Sequence, residues 1–183
     1  MEKKELKLDL ACGQKKQPGF TGVDKIQIDG VDILCDLEKF PWPFEDNSVD
    51  EVICRHYVEH TPDMVAFMDE VYRILKPGCD CTIVAPYYTS IEAWRDPTHR
   101  RAISEESFRY FNKKWREEAK VDHYGIRADF IFTYEFVLVP EWKMRSEEAR
   151  KFAIRHYHNV VSEIKVTLTK NFVIPEVCPY SDG

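Results

Sequence analysis

The feature that most constrains this chain is the rhythm of its first half. Short apolar runs of strand character, at 6–10, 20–24, 31–36, 49–54 and 82–85, each end in a polar or turn-forming residue. A helical spacing of apolar residues fills the gap between the fourth and fifth runs. Strands alternating with helices form a parallel sheet, because each parallel connection must cross over the sheet and a helix buries its apolar face on the way. The expected class is therefore α/β, with a mostly parallel twisted sheet.

The clearest helix follows Thr61, read as its N-cap, with Pro62 at the first helical position. Val65, Met68, Val71, Tyr72 and Leu75 recur at helical spacing, and Lys76-Pro77-Gly78 ends the element. A second amphipathic helix is expected after Ser104, burying Phe108, Phe111 and Trp115. A β-rich run at 130–139, a helix from about Ser146 and an alternating strand at 164–168 follow, completing the sheet with an antiparallel edge. No linker, repeat or low-complexity stretch divides the 183 residues, so they read as one domain, 1–183.

Composition narrows the function classes. A net charge of −6 disfavours non-specific nucleic-acid binding, which depends on a basic surface. The local cluster Arg95, His99, Arg100 and Arg101, with Lys113 and Lys114, reads as a solvated face. The opening MEKKELKLDL has no apolar signal core, and no run is long enough to span a bilayer, so a cytoplasmic protein without a membrane partner is expected. Cys12, Cys35, Cys54, Cys79, Cys81 and Cys178 lack paired CxxC spacing and read as reduced, mostly buried thiols.

The chemistry gathers at the strand ends. Asp9-Leu10-Ala11-Cys12-Gly13 closes the first strand with small residues that let the backbone turn and approach a ligand. The second strand ends in Gly22-Val23-Asp24, whose carboxylate can accept from both hydroxyls of a ribose. The third ends in Cys35-Asp36-Leu37, a carboxylate for an adenine amino group beside an apolar side chain for its ring. Each aspartate alone is more often a turn residue or helix cap. Three neighbouring strand ends pointing at one nucleoside make the case.

With these residues on the page, the segment from Leu8 to Pro86 resembles the class I S-adenosylmethionine-dependent methyltransferases, particularly those of type 11. The matching pieces are LDLACG (8–13), GVD (22–24), CDLEKFPWPFEDNSVDEV (35–52), the Glu59-His60 pair and RILKPG (73–78), with DPTHRRAISEESFRYF (96–111) a looser extension. The resemblance implies a Rossmann-like, seven-stranded sheet, mostly parallel with an antiparallel last strand and helices on both faces. It implies a cofactor half at about 1–86 and acceptor-side elements at about 87–160. S-adenosyl-L-methionine is the implied cofactor, with Asp9 helping to hold the methionine amino group and Asp24 and Asp36 holding ribose and adenine. Ala11, Gly13, Leu37 and the backbone at Arg55 and His56 complete that implied site.

The chain departs from the pattern where Ala11 replaces the first glycine of the loop and Lys15 the third, while Gly13 keeps the middle one. The stretch from Gly13 to Asp24 is also short for a helix and its return, so a shortened first helix is expected, with Pro18-Gly19 turning into the second strand. A dinucleotide's pyrophosphate needs those glycines and a helix N-terminus. The cationic sulfonium and ammonium of S-adenosylmethionine instead suit acidic and carbonyl-lined surroundings, which Asp9 and the backbone after Cys54 supply.

The acceptor pocket is expected over the fifth strand end and the segment after it, with Tyr87, Tyr88, Trp94 and Arg95 binding the acceptor. An equal alternative is that Trp94 packs on the domain and Asp96-Pro97-Thr98 initiates a turn. His99 and His56 are the candidate bases, since imidazole titrates near neutrality. Arg55-His56-Tyr57 at the fourth strand end lacks the Asn/Asp-Pro-Pro-aromatic grip of DNA amino-methyltransferases, and no Pro-Cys nucleophile is present, so no DNA substrate is expected. The resemblance favours an oxygen or nitrogen of a small molecule or glycan precursor. Protein or RNA acceptors, a non-catalytic cofactor-binding module and a nucleotide-binding oxidoreductase stay open, as does the oligomeric state. No metal is expected, because no compact His/Asp/Glu cluster with ligand spacing is visible and a sulfonium leaves as a neutral thioether. Glu59 and His60 read as residues that stabilise the turn into the helix.

Overall fold

The structure, a computed structural model, describes residues 5–172; Cys178, among the thiols expected to be reduced, lies outside them. Seven strands form one sheet in the order β3-β2-β1-β4-β5-β7-β6. They are β1 (Lys7–Leu10), β2 (Thr21–Asp24), β3 (Ile33–Leu34), β4 (Val49–Arg55), β5 (Leu75–Pro86), β6 (Phe130–Leu138) and β7 (Val161–Lys170). The first five run parallel, with Leu8 beside Thr21 on one side and Val52 on the other. β7 slots between β5 and β6, antiparallel to both, so the last strand is antiparallel as expected but β6 forms the edge.

Leu8, Asp9 and Leu10 are all fully buried, as befits a central parallel strand covered on both faces. Leu8, Val52, Ile83 and Val166 belong to one continuous core. The five described cysteines are free thiols, with Cys12, Cys54 and Cys81 buried and Cys35 and Cys79 partly so.

Among the described residues no helix precedes α1 (Met64–Ile74). The expected shortened first helix is replaced by turns, for a reason visible in the hydrogen bonds. Asp9 Oδ2 accepts from the N–H of Gln17 at 2.6 Å and Asp24 Oδ2 from that of Gly13 at 3.0 Å. Strand-end carboxylates thus satisfy backbone donors that a helix would otherwise have to satisfy. Gly22 holds this connection close, because a Cβ there would stand 2.2 Å from the carbonyl oxygen of Gly30.

The cap of α1 is Asp63, whose side chain accepts from Ala66 N at 2.9 Å, and Thr61 is buried two residues earlier. The helix begins at Met64, so Pro62 precedes it, and Val65 faces solvent while Phe67, Met68, Val71 and Ile74 form the buried stripe. The chain passes directly from Ile74 into β5.

After β5 come α2 (Glu92–Arg95), a 3-10 segment (Glu105–Phe111) and α3 (Lys113–Glu118). Ser104 caps the 3-10 segment through a capping box with Ser107, and Phe108 and Phe111 are buried as expected. Trp115 is only half-buried, and Arg116 is the buried residue of α3. α4 (Pro140–Lys143) and α5 (Glu147–His156) lead into β7, with Ser146 capping α5 through the N–H of Ala149.

Candidate active site

β1 and β4 place the first charged pair. Asp9 is buried at the end of β1, and Arg55, at the end of neighbouring β4, donates to its Oδ2 at 2.7 Å and to the Lys15 carbonyl at 2.6 Å. Asp9 Oδ1 is buried with no hydrogen-bond partner among the described residues. The turn after β1 runs through Ala11 and Gly13 with φ of 53° and 54°, the left-handed region that glycine enters without steric cost. Ala11 therefore occupies a glycine-type conformation without being glycine.

A cleft of about 360 Å³ opens beyond the ends of β1, β2 and β3. Ala11, Asp24, Asp36, Leu37, Tyr57 and His60 are among its lining residues. The fold thus gathers four of the residues singled out in the sequence, and adds Tyr57 and His60. Asp24 keeps its loop in place through Gly13 N and, at 3.1 Å, Ile26 N. The N–H of Glu38, at 3.2 Å, and the ammonium of Lys39, at 3.1 Å, hold the Asp36 carboxyl below the usual range. Tyr57 presents a buried hydroxyl with no partner among the described residues, and burial pushes its phenol up to about 12.

A second cleft, of about 450 Å³, continues past Ala11, Gly13, Lys15, Arg55 and His56. Asp9 stands behind it, holding Arg55. His56 itself has φ of 53°, a strained conformation for a non-glycine residue, and its N–H donates to the Val84 carbonyl at 2.8 Å. The Glu59 carboxylate near its Nδ1 and that of Glu163, 3.1 Å from its Nε2, raise its imidazole above the ordinary value.

The third cleft, of about 530 Å³, lies where the sequence leads one to expect the acceptor and is lined by residues that include His56, Glu59, His60, Arg95, Asp96 and His99. His60 lines both this cleft and the first. Arg101 staples the two walls: its guanidinium donates to the carbonyls of Val58 at 2.8 Å, of Thr61, and of Pro62 at 3.2 Å. The Arg100 N–H donates to the Glu59 carbonyl at 2.8 Å. The segment carrying His99 is thereby laid against the Glu59-His60 turn.

The acceptor-side expectations divide. Arg95 and His99 line the third cleft, Arg95 paired with Glu92 at 2.5 Å. Tyr87 does not: it is buried in the core, packs on Phe136 and donates its hydroxyl to Glu105 at 3.0 Å. Burial and that acidic neighbour raise its phenol. An apolar ring on the strand that leaves the sheet was needed to close the core, which sequence alone did not separate from a cleft wall. Tyr88 faces a different depression, with Ser104 and Glu105. Trp94 is exposed and donates its indole N–H to the Tyr88 carbonyl at 2.9 Å, outside the three clefts. Asp96 does initiate a turn, accepting from the N–H of Thr98 at 2.8 Å. Glu59 and His60 sit in the turn where the sequence places them, and they line the clefts as well.

Residues 8–83 match the family model for a methyltransferase domain. Over that stretch the chain is similar to methyltransferase domains. An uncharacterized protein of Escherichia coli, YafE, is 31% identical over 133 residues, 66% of this chain, which spans 60% of that relative's length. Among solved structures, an S-adenosylmethionine-dependent methyltransferase from Archaeoglobus fulgidus superposes with a TM-score of 0.65 at 19% identity, over 91% of this chain and 86% of that one. A phosphoethanolamine N-methyltransferase of Haemonchus contortus, in complex with S-adenosyl-L-methionine, has a TM-score of 0.51 at 17% identity, over 94% and 50% of the two chains. These likenesses establish the Rossmann-like methyltransferase fold. Among the described residues no helix is long and apolar enough to cross a membrane.

Proposed function

We propose that this chain transfers a methyl group from S-adenosylmethionine to an oxygen or nitrogen of a small-molecule acceptor, a glycan precursor being one such class. The observation that carries the reading is the convergence of Asp24, Asp36 and Leu37 in one cleft beyond three parallel strand ends, where open α/β sheets bind ligands. The residues fit the cofactor's chemistry. Asp24 and Asp36 offer acceptors for ribose and adenine, Leu37 a face for the ring, and the adjoining cleft ends at Arg55, a cation suited to a carboxylate. The unpartnered Asp9 Oδ1 keeps a negative charge behind that end, in keeping with an ammonium nearby.

S-adenosylmethionine supplies an electrophilic methyl on a sulfonium. The chain's own contribution is alignment, which is worth up to roughly 7–11 kcal/mol in favourable cases. The clefts shared at His60 and His56 let donor and acceptor meet from two sides. His56 and His99, both lining the acceptor-side cleft, are the groups placed to accept an acceptor's proton.

Calorimetry with S-adenosylhomocysteine and with NAD tests the reading. Binding of the first without the second is expected, and the reverse would replace the methyltransferase with an oxidoreductase. A labelled-methyl screen against metabolite, protein and RNA pools then identifies the acceptor; labelled protein or RNA in place of small molecules would overturn the acceptor class.

A further inference from the structure

We propose that Glu59, His60 and His99 form a binding site for one divalent transition-metal ion where the acceptor-side cleft meets the adenosine cleft. Each side chain offers one ligand atom, and the three atoms lie within 4.8 Å of one another. Small ring rotations bring such atoms to the roughly 2.1 Å at which imidazole and carboxylate bind a first-row ion.

The buried carboxylate is the first sign of a missing partner. The Glu59 side chain is 2% exposed, and neither of its oxygens has a hydrogen-bond partner among the described residues. Its nearest basic neighbour is His56 Nδ1 at 3.6 Å, beyond hydrogen-bonding range. His56 thus faces the carboxylate on one side without a hydrogen bond, and buried oxygens that accept none are costly unless a further partner, such as a cation, joins them.

The two histidines are set for ligation by what their other nitrogens do. His99 Nδ1 lies 2.9 Å from the Ala93 carbonyl, which only accepts, so Nδ1 carries the proton. His60 Nδ1 lies 3.0 Å from the Thr98 hydroxyl, whose one hydrogen goes to the Asp96 carboxylate at 2.7 Å. Thr98 therefore accepts from His60, and Nδ1 is again the protonated nitrogen. Both rings are left with an unprotonated Nε2, held as metal-binding histidines are held by carbonyl, hydroxyl and carboxylate partners behind them. The rings meet edge to face with centroids 4.7 Å apart.

Two imidazoles and one carboxylate suit zinc, manganese, iron or cobalt, whereas magnesium and calcium prefer all-oxygen sets. Three protein ligands leave positions open, and all three residues line the acceptor-side cleft. An ion there would face an acceptor's oxygen or nitrogen; that use rests on the proposed methyl transfer, while ion binding does not. Spacing along the chain hides the site, because the Arg100 and Arg101 contacts to residues 58–62 are what carry His99 to Glu59 and His60.

The test is a cobalt(II) titration of the tag-free full chain, followed by visible absorption and calorimetry, with circular dichroism to confirm folding. One equivalent should bind with weak visible bands and no strong near-ultraviolet thiolate absorption. His99→Ala and His60→Ala should each weaken binding by about tenfold or more. Glu59→Gln should weaken it similarly, yet leave the metal-free protein at least as resistant to heat, since it keeps the side-chain volume and removes a buried carboxyl whose oxygens accept no hydrogen bond. Failure to bind one equivalent, thiolate bands, or unchanged affinity in folded His99→Ala and His60→Ala would overturn the site. Calorimetry with S-adenosylhomocysteine separates the two readings: ion binding without nucleoside binding removes the proposed function alone, and nucleoside binding without ion binding removes this site alone.

Discussion

Replacing Asp24 with alanine is the most direct probe of the proposed adenosine cleft. Its carboxylate spends one lone pair of each oxygen on Gly13 N and Ile26 N, at 3.0 and 3.1 Å, which leaves the other pair of each oxygen for a ligand. Two ribose hydroxyls would make two charge-assisted hydrogen bonds, each worth about 1.5–3 kcal/mol net. Asp24 is half-exposed, so water competes and the lower end applies, about 2–3 kcal/mol in total. That corresponds to roughly a 30- to 150-fold rise in the Kd for S-adenosylhomocysteine. The same change releases the two backbone N–H groups, at about 1 kcal/mol each when water does not reach them. Calorimetry on the folded variant, with a thermal melt beside it, reads both effects. A Kd unchanged within about twofold, in a variant that melts cooperatively, would refute the placement of ribose on Asp24.

Further outcomes follow from other parts of the structure. Asp36→Ala should weaken S-adenosylhomocysteine while leaving the fold intact, because among the described residues its carboxylate bonds only to Glu38 N and Lys39 at the surface; unfolding would make it a structural turn residue. Arg116→Ala should cost about 3–5 kcal/mol in urea denaturation. Its buried guanidinium donates to the carbonyls of Tyr110, Ile126 and Ala128 and to Asp122, and a loss under about 1 kcal/mol would show these contacts to be dispensable. His99→Ala should retain S-adenosylhomocysteine affinity yet lose most turnover on the acceptor found by the labelled-methyl screen; normal turnover would remove His99 from the acceptor site.

The cleft beyond the ends of β1, β2 and β3 was legible because its signals are local. A short apolar run ending in aspartate marks a strand and the group at its end together, and parallel neighbours bring those ends side by side. The acceptor side was not legible in the same way. Tyr87 and Trp94 are both aromatics in one polar stretch, and only packing shows that the first closes the core while the second lies on the surface. Glu59 and His60 read as residues of the turn into the helix, and they are, but what that turn faces depends on the 98–101 segment laid against it.

The sequence by itself determined the elements whose causes lie within a few residues: the five parallel strands, the Ser104 and Ser146 caps and the aspartates at the strand ends. Tertiary structure alone decided what depends on distant partners. β7 slides between β5 and β6 because its partners in pairing are remote in sequence. No helix forms after β1 because Asp9 and Asp24 capture the backbone donors of that connection. His99 meets Glu59 and His60 because Arg101 binds the carbonyls of the opposite turn. Periodicity and capping are local energies written along the chain, whereas a site assembled from two loops exists only once long-range hydrogen bonds have closed the distance between them.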